Sequence, residues 1–271
     1  MRTLLVPTAA SPYRRPMLQY VCHLAQLLDA GLKLVVLADP EIDGNIRPEA
    51  VAASGSRSSE ELASRLDRIP QEVREDFLAA GCDQVTEVRV SVQLGEATEG
   101  YLKELMTCDF GLVGRALFGE IGPRTAWSPR VERILSGATK PLFLVPDHFI
   151  PIQHALVAVG GGVETGHALE FLCSLPKEAI RITLLTVAPP GARQDILVSL
   201  MSRYCEEHGR ACDARSAFGD PTTELIGAAR ELQADLLVLG GSHRSGFAQF
   251  FAPDYAREVL QAVSLPALIW R

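Results

Sequence analysis

Ala234-Asp235-Leu236-Leu237-Val238-Leu239-Gly240 is a short, almost unbroken apolar run that ends on glycine. A strand of this character is covered on both faces, as inside a parallel sheet wrapped by helices. The same pattern stands earlier, at Cys108-Asp109-Phe110-Gly111-Leu112-Val113-Gly114. Asp235 lies 126 residues after Asp109, Gly219 lies 124 after Gly95, and Pro266 lies 125 after Pro141. Three near-equal offsets mark one structural plan written twice. Gly95-Glu96-Ala97-Thr98 answers Gly219-Asp220-Pro221-Thr222, and the apolar end of each half, 141–145 and 266–270, begins with a Pro.

Working outward, each half opens on an apolar strand, Leu4-Leu5-Val6-Pro7 and Ala155-Leu156-Val157-Ala158-Val159. In the second half, helical spacing runs through His167, Ala168, Phe171 and Leu172, and Arg181–Val187 reads as a buried strand. A helix through Ile196, Leu200 and Tyr204 should stop at Gly209, and a strand follows near 211–217. Asp220-Pro221 predicts an N-cap and a first-turn proline for a helix that buries Leu225, Ile226, Ala229 and Leu232. The last unit is the strand 235–240, a helix burying Val259, Leu260 and Val263, and the strand 266–270. Alternation of this kind predicts an α/β fold with two five-stranded, doubly wound parallel sheets, over residues 1–147 and 154–271. From Leu5 to Gly95 is 90 positions against 63 from Leu156 to Gly219, so the first half carries 27 extra residues, between about 39 and 81. There Leu62, Leu66, Ile69 and Val73 recur at helical spacing, Pro70 interrupts them, and Gly81 stops the helix. Two readings of this insertion stay open, a solvated helical lid and a partner-binding arm.

The chain has 271 residues, 47% of them apolar and 22% charged, which supports a substantial core. With 26 Lys and Arg against 33 Asp and Glu, the net charge of −7 argues against nucleic acid and anionic membranes as partners. No apolar stretch reaches the ~18 residues of a membrane span. The opening MRTLLVPTAASPYRRP has too short an apolar run for a secretion signal, so a cytoplasmic location is expected. The six cysteines, Cys22, Cys82, Cys108, Cys173, Cys205 and Cys212, form no C-x-x-C pair and no metal-ligand spacing with histidine. In a reducing compartment they are expected to be free thiols, with no metal site.

Gly-Asp-Pro-Thr-Thr-Glu-Leu-Ile from Gly219, Ala-Asp-Leu-Leu-Val-Leu-Gly-Gly-Ser-His-Arg from Ala234 and the terminal Pro-Ala-Leu-Ile-Trp together resemble the universal stress protein domain. The resemblance covers 154–271 well and 1–147 more loosely, so the chain resembles two such domains in tandem. It implies an adenine nucleotide alpha hydrolase-like fold, and pairing of the strands 141–145 and 266–270 to make an internal pseudo-dimer. A further homodimer of the whole chain stays open.

Many members of that family bind ATP or AMP through a loop of Gly, two residues, Gly, nine residues, Gly, then Ser or Thr. The physics is that of glycine backbones and a helix N-terminus approaching phosphate. In the second half Gly241 matches, but Arg244, Asp254 and Tyr255 stand where the pattern has glycine, glycine and a hydroxyl residue. In the first half Gly114 and Ser128 match, while Leu117 and Trp127 replace glycines. Ala9 and Gly160 occupy the place of the family's nucleotide-contacting Asp. A carboxylate near a triphosphate costs about 4 kcal/mol at 4 Å and an effective dielectric of about 20. Arg244 could offset this by gripping a phosphate. Without a ligand, Asp254 reads as a helix N-cap, and Ser128-Pro129 as a cap with a first-turn proline.

The candidate binding residues are therefore Gly240, Gly241, Ser242, His243, Arg244 and Gly160 in the second half, with Gly114 and Ser128 in the first. Gly160-Gly161-Gly162 lacks the dinucleotide fingerprint and reads as a strand-to-helix turn. Ser242-His243 has no nucleophile elbow and no orienting acid, so no catalytic residue is assigned and a hydrolase ranks last. Arg115, Arg124 and Arg130 read as a solvated surface or a local anion patch. The expectation is a stress-response binding or regulatory module with degenerate nucleotide loops, no cofactor, no enzymatic activity and an unknown protein partner. The alternative is ATP or AMP held by the second domain.

Overall fold

The computed structural model describes residues 2–8, 15–39, 87–114, 128–160, 162–188, 195–240 and 253–270, with isolated positions 64, 67, 68, 71, 72, 75, 77, 79 and 82. The chain divides into two compact units, Met1–Lys140 with Asp147–Phe149, and Pro141–Pro146 with Ile150–Arg271.

In the first unit β1 (Arg2–Thr8) pairs parallel with β2 (Ala30–Ala38) and with β4 (Phe110–Gly114), and β2 pairs parallel with β3 (Val88–Leu94). The order β3-β2-β1-β4 follows the apolar content of the strands. Leu4, Leu5 and Val6 of β1 and Leu112 and Val113 of β4 are fully buried, whereas β3, which pairs with β2, is partly exposed along its length. Helix α1 (Arg15–Leu28) buries Tyr20, Val21, Leu24 and Leu28, one stripe at helical spacing. Helix α2 (Ala97–Leu105) and helix α3 (Pro129–Gly137) flank β4 in the chain.

The second unit repeats the plan. β6 (His154–Ala158) pairs parallel with β7 (Arg181–Ala188) and β9 (Leu236–Gly240), β7 with β8 (Cys212–Phe218), and β9 with β10 (Ala267–Trp270). The mostly parallel α/β fold expected from the alternating pattern is present. The helices are α4 (Val163–Ser174), α5 (Asp195–Glu207), α6 (Pro221–Glu231) and α7 (Pro253–Ala262). Strand β8 is mostly exposed and carries Asp213 and Arg215, charges that blunt a sheet edge against pairing with other chains. Gly209, with φ 67°, follows the end of α5 as the spacing predicts.

β5 (Leu142–Val145) pairs antiparallel with β10, Leu144 opposite Ala267 and Leu142 opposite Ile269. The pairing expected between 141–145 and 266–270 is thus observed. The sequence reading placed this strand within a domain of residues 1–147. The compact unit that holds β10 also takes in this strand.

Two local devices recur in both halves. Gly95 and Gly219 have φ of 106° and 146°, conformations that favour glycine, and each precedes an acidic N-cap. Asp109 and Asp235 stand just before β4 and β9; their carboxylates accept from Thr3 N (2.7 Å) and His154 N (2.7 Å). Their own N–H groups donate back to Thr3 O and His154 O. Each aspartate therefore closes the N-terminal edge between two neighbouring strands.

The cysteine expectation needs correction. Cys22 of α1 and Cys82 form a disulfide with a Cα–Cα distance of 5.2 Å. Sixty residues separate the partners in the chain, so spacing could not reveal the pair. Leu62, Leu66, Ile69, Val73, Pro70 and Gly81 of the insertion lie outside the described residues. The positions described from 64 to 79 are helical, with Phe77 buried and Gln71 bonded to Glu75.

His154 shows how the N-terminal edge of the second unit is held. Its ring Nδ1 accepts from Arg181 (2.7 Å), which leaves Nε2–H to donate to Thr183 Oγ1 (2.8 Å). Burial, then the charge of Arg181, hold the imidazole below the usual histidine range. The unfolded chain binds a proton near pH ~6.5 and the native ring does not, so this group withdraws stability as pH falls below that value. The loss ends once pH passes the lowered native value. Urea unfolding at pH 7.5, 6.5 and 5.5 should show His154→Gln losing less stability than the native chain over this range. Parallel pH curves for the two proteins would refute the assignment.

Candidate functional site

The C-terminal ends of parallel strands, where helix N-termini converge, are the places at which α/β sheets hold ligands. In the first unit β4 ends at Gly114, and continuing the register Leu5↔Gly111 brings buried Thr8 level with it. Ser128 is the N-cap of α3. Its Oγ accepts from Val131 N (3.3 Å) and Pro129 fills the first turn, as the cap reading expects.

The N-terminus of α2 is also occupied by the protein's own groups. Asp39, 2% exposed, directly follows β2, and its Oδ2 accepts from Ala97 N (3.0 Å). Glu96 accepts from Thr98 N and Glu99 N (3.1 and 2.9 Å) and pairs with Arg133. Burial pushes the Glu96 carboxyl up, but those hydrogen bonds and the Arg133 charge outweigh it and hold it below the usual range. Two carboxylates at one helix N-terminus fill the place where an anion would bind. Asp39 and Glu96 were not among the sequence candidates. The signal for Glu96 was its match to Asp220, also an acid between a glycine and a helix.

In the second unit β6 and β9 run side by side, Ala158 opposite Leu239, which brings Gly160 and Gly240 to the same edge. Gly162 is the N-cap of α4 and supplies no side-chain cap. A β-carbon on Gly240 would lie 3.2 Å from Thr165 N and Thr165 Oγ1 and 3.3 Å from Glu164 Cβ. Glycine therefore lets the end of β9 approach the first turn of α4. Among the described residues the shielded Glu164 Oε2 has no hydrogen-bond partner. By contrast, Asp220 caps α6 through Thr223 N (2.9 Å), and that bond, then the Thr223 hydroxyl, lower its pKa.

Gly241, Ser242, His243 and Arg244 lie outside the described residues, as do Ala9, Arg115, Leu117, Arg124, Trp127 and Gly161. Arg130 stands in the first turn of α3. Helix α7 begins at Pro253, so Asp254 falls inside its first turn and not at the N-cap position expected for it. Among the described residues no group of three His, Cys, Asp or Glu is arranged to hold a metal ion.

The universal stress protein family model matches residues 192–271. The matched region runs from just before α5 to the end of the chain and takes in β8, α6, β9, α7 and β10. Universal stress protein Slr1230 of Synechocystis sp. (strain ATCC 27184 / PCC 6803 / Kazusa) is 22% identical over 290 aligned positions, covering 100% of both chains. Among solved structures, a universal stress protein from Archaeoglobus fulgidus DSM 4304 is similar with a TM-score of 0.69 at 14% identity, covering 98% of this chain and 95% of its own. A structure from Pseudomonas aeruginosa UCBPP-PA14 gives 0.61 at 16% identity, covering 99% and 92%. At these identities the structural likeness shows the fold. No helix among the described residues is long and apolar enough to cross a membrane.

Proposed function

We propose that the chain is a tandem universal stress-type module that works in the cytoplasmic stress response by binding, in concert with a protein partner, and not by catalysis. The repeated glycine–acid caps and the repeated aspartate closures support descent of both halves from one such domain. The observation that carries the loss of nucleotide binding is the state of the first unit. Among the described residues, the N-termini of α2 and α3 at the sheet's C-terminal edge are already served by Asp39, Glu96 and Ser128. A phosphate arriving there would displace native hydrogen bonds and meet two carboxylates. The substitutions Leu117 and Trp127 in the loop point the same way.

A second reading, ATP or AMP held by the second unit, is favoured by one specific arrangement. The N-terminus of α4 has no side-chain cap and lies against Gly240, the last residue before the Gly241–Arg244 segment. Against it stands Glu164 in the same turn. A phosphate 4 Å from that carboxylate would lose about 4 kcal/mol at an effective dielectric near 20.

The thermal midpoint in the presence of millimolar ATP, ADP or AMP with magnesium separates the two. A ligand at a hundred times its dissociation constant adds about 2.7 kcal/mol of stability. The first reading expects an unmoved midpoint with all three. A clear rise would overturn it, and Arg244→Ala abolishing that rise would assign the site to the second unit.

A further inference from the structure

Three cysteines of the second unit gather where two helices end, away from the C-terminal edge of the sheet. Cys173 lies in the last turn of α4 and Cys205 in the last turn of α5, with their sulfurs in contact at 3.9 Å. Cys212, the first residue of β8, interacts with Cys205 and lies 3.4 Å from Ser202 Oγ. Cys205 is fully buried, while Cys173 is partly open to solvent. Buried Arg210 closes the cluster. Its guanidinium donates to Pro176 O and Ile180 O, and its N–H donates to Cys205 O.

We propose that Cys173 and Cys205 form an oxidisable dithiol, in which Cys173 reacts with a hydroperoxide and Cys205 resolves it to an intramolecular disulfide. In the first step the Cys173 thiolate attacks one peroxide oxygen. The S–O bond forms, the O–O bond breaks, and the departing alkoxide or hydroxide takes a proton to become an alcohol or water. Sulfur is oxidised by two electrons to the sulfenic acid and the peroxide is reduced. In the second step Cys205 Sγ attacks Cys173 Sγ. The S–S bond forms, the S–O bond breaks, and hydroxide leaves with the Cys205 proton as water. Two thiols and one hydroperoxide thus give one disulfide, one alcohol or water, and one further water.

The roles follow from placement. The sulfurs must close from 3.9 Å to about 2.05 Å, and both side chains hang from terminal helical turns. Only Cys173 of the pair is reachable by a small oxidant. The hydrogen bond with Cys205 lowers the Cys173 thiol to about 7 against burial, helped by the charges of Arg210 and His208. At pH 7 a larger share of it is therefore thiolate than of an ordinary thiol. Contact with Cys173 and burial move Cys205 the opposite way, keeping it a protonated resolving group until the sulfenic acid forms.

The test is to treat the full chain, with Cys22–Cys82 oxidised, with stoichiometric hydrogen peroxide at pH 7. It is then alkylated with N-ethylmaleimide under denaturing conditions and its peptides are mapped by mass spectrometry. The expected result is loss of two of the four alkylatable thiols and a dithiothreitol-reversible link between the peptides of Cys173 and Cys205. Cys205→Ser should leave Cys173 as a sulfenic acid that dimedone traps. Cys212→Ser should form the 173–205 link as the native chain does. The proposal is overturned if Cys173 and Cys205 both remain alkylatable in the native chain. It is equally overturned if the link involves Cys212 or a second chain, or if Cys173 proceeds to the sulfinic acid while Cys205 stays free.

Discussion

Arg210→Ala is expected to lower the free energy of unfolding by about 1–3 kcal/mol, measured as a shift in urea midpoint. Arg210 is 3% exposed, and its two guanidinium bonds, 2.7 Å to Pro176 O and 3.0 Å to Ile180 O, tie the turn after α4 to the start of β8. Removing the donor leaves the carbonyl of buried Ile180 without it, at about 1–3 kcal/mol, while Pro176 O keeps its bond from Ala179 N. Relief from burying the guanidinium charge offsets part of that cost. The same change withdraws a positive charge from Cys173, so its thiol should become less acidic. The pH dependence of its alkylation rate reads this directly. Arg210→Lys separates the two effects: it keeps the charge but not the fork, so stability should fall while Cys173 changes less. A midpoint for Arg210→Ala equivalent to less than about 0.5 kcal/mol of destabilisation would be an ordinary surface effect and would remove Arg210 from its assigned place.

Tyr101→Ala should cost about 3–5 kcal/mol, the range for truncating a buried aromatic side chain. Tyr101 is fully buried on α2 and its hydroxyl donates to Leu112 O of β4 at 3.1 Å, so it joins helix to strand beside the candidate site of the first unit. Tyr101→Phe retains the ring and loses one hydrogen bond, which leaves a single buried acceptor without this donor and should cost about 1–3 kcal/mol. A phenylalanine variant as unstable as the alanine variant would mean that the hydroxyl, and not ring packing, holds α2 in place.

The architecture was legible because it is written in local patterns. Two strands ending on Gly114 and Gly240, two glycine–acid steps and two Pro-led terminal strands recur at almost one spacing. Capping was legible at Ser128 and Asp220, where hydroxyl or carboxylate precedes proline. It failed at Asp254, because an acid inside the first turn and an acid at the cap read alike in a chain whose helix start is marked only by Pro253.

What lay beyond reading was every contact between distant residues. Cys22 and Cys82 looked like unrelated thiols until the fold brought them together, and Cys173, Cys205 and Cys212 showed no motif. Asp39 stood only at the start of the insertion, although it is a buried acceptor for the helix at Ala97. Periodicity and turn chemistry arise from near neighbours in the chain, so the sequence alone was sufficient for the repeated α/β plan, and its likeness to a known domain for the pairing of the strands 141–145 and 266–270. Which thiols touch and which of the described helix N-termini are already capped depend on side chains meeting across strands and helices, and only the folded arrangement decides those meetings.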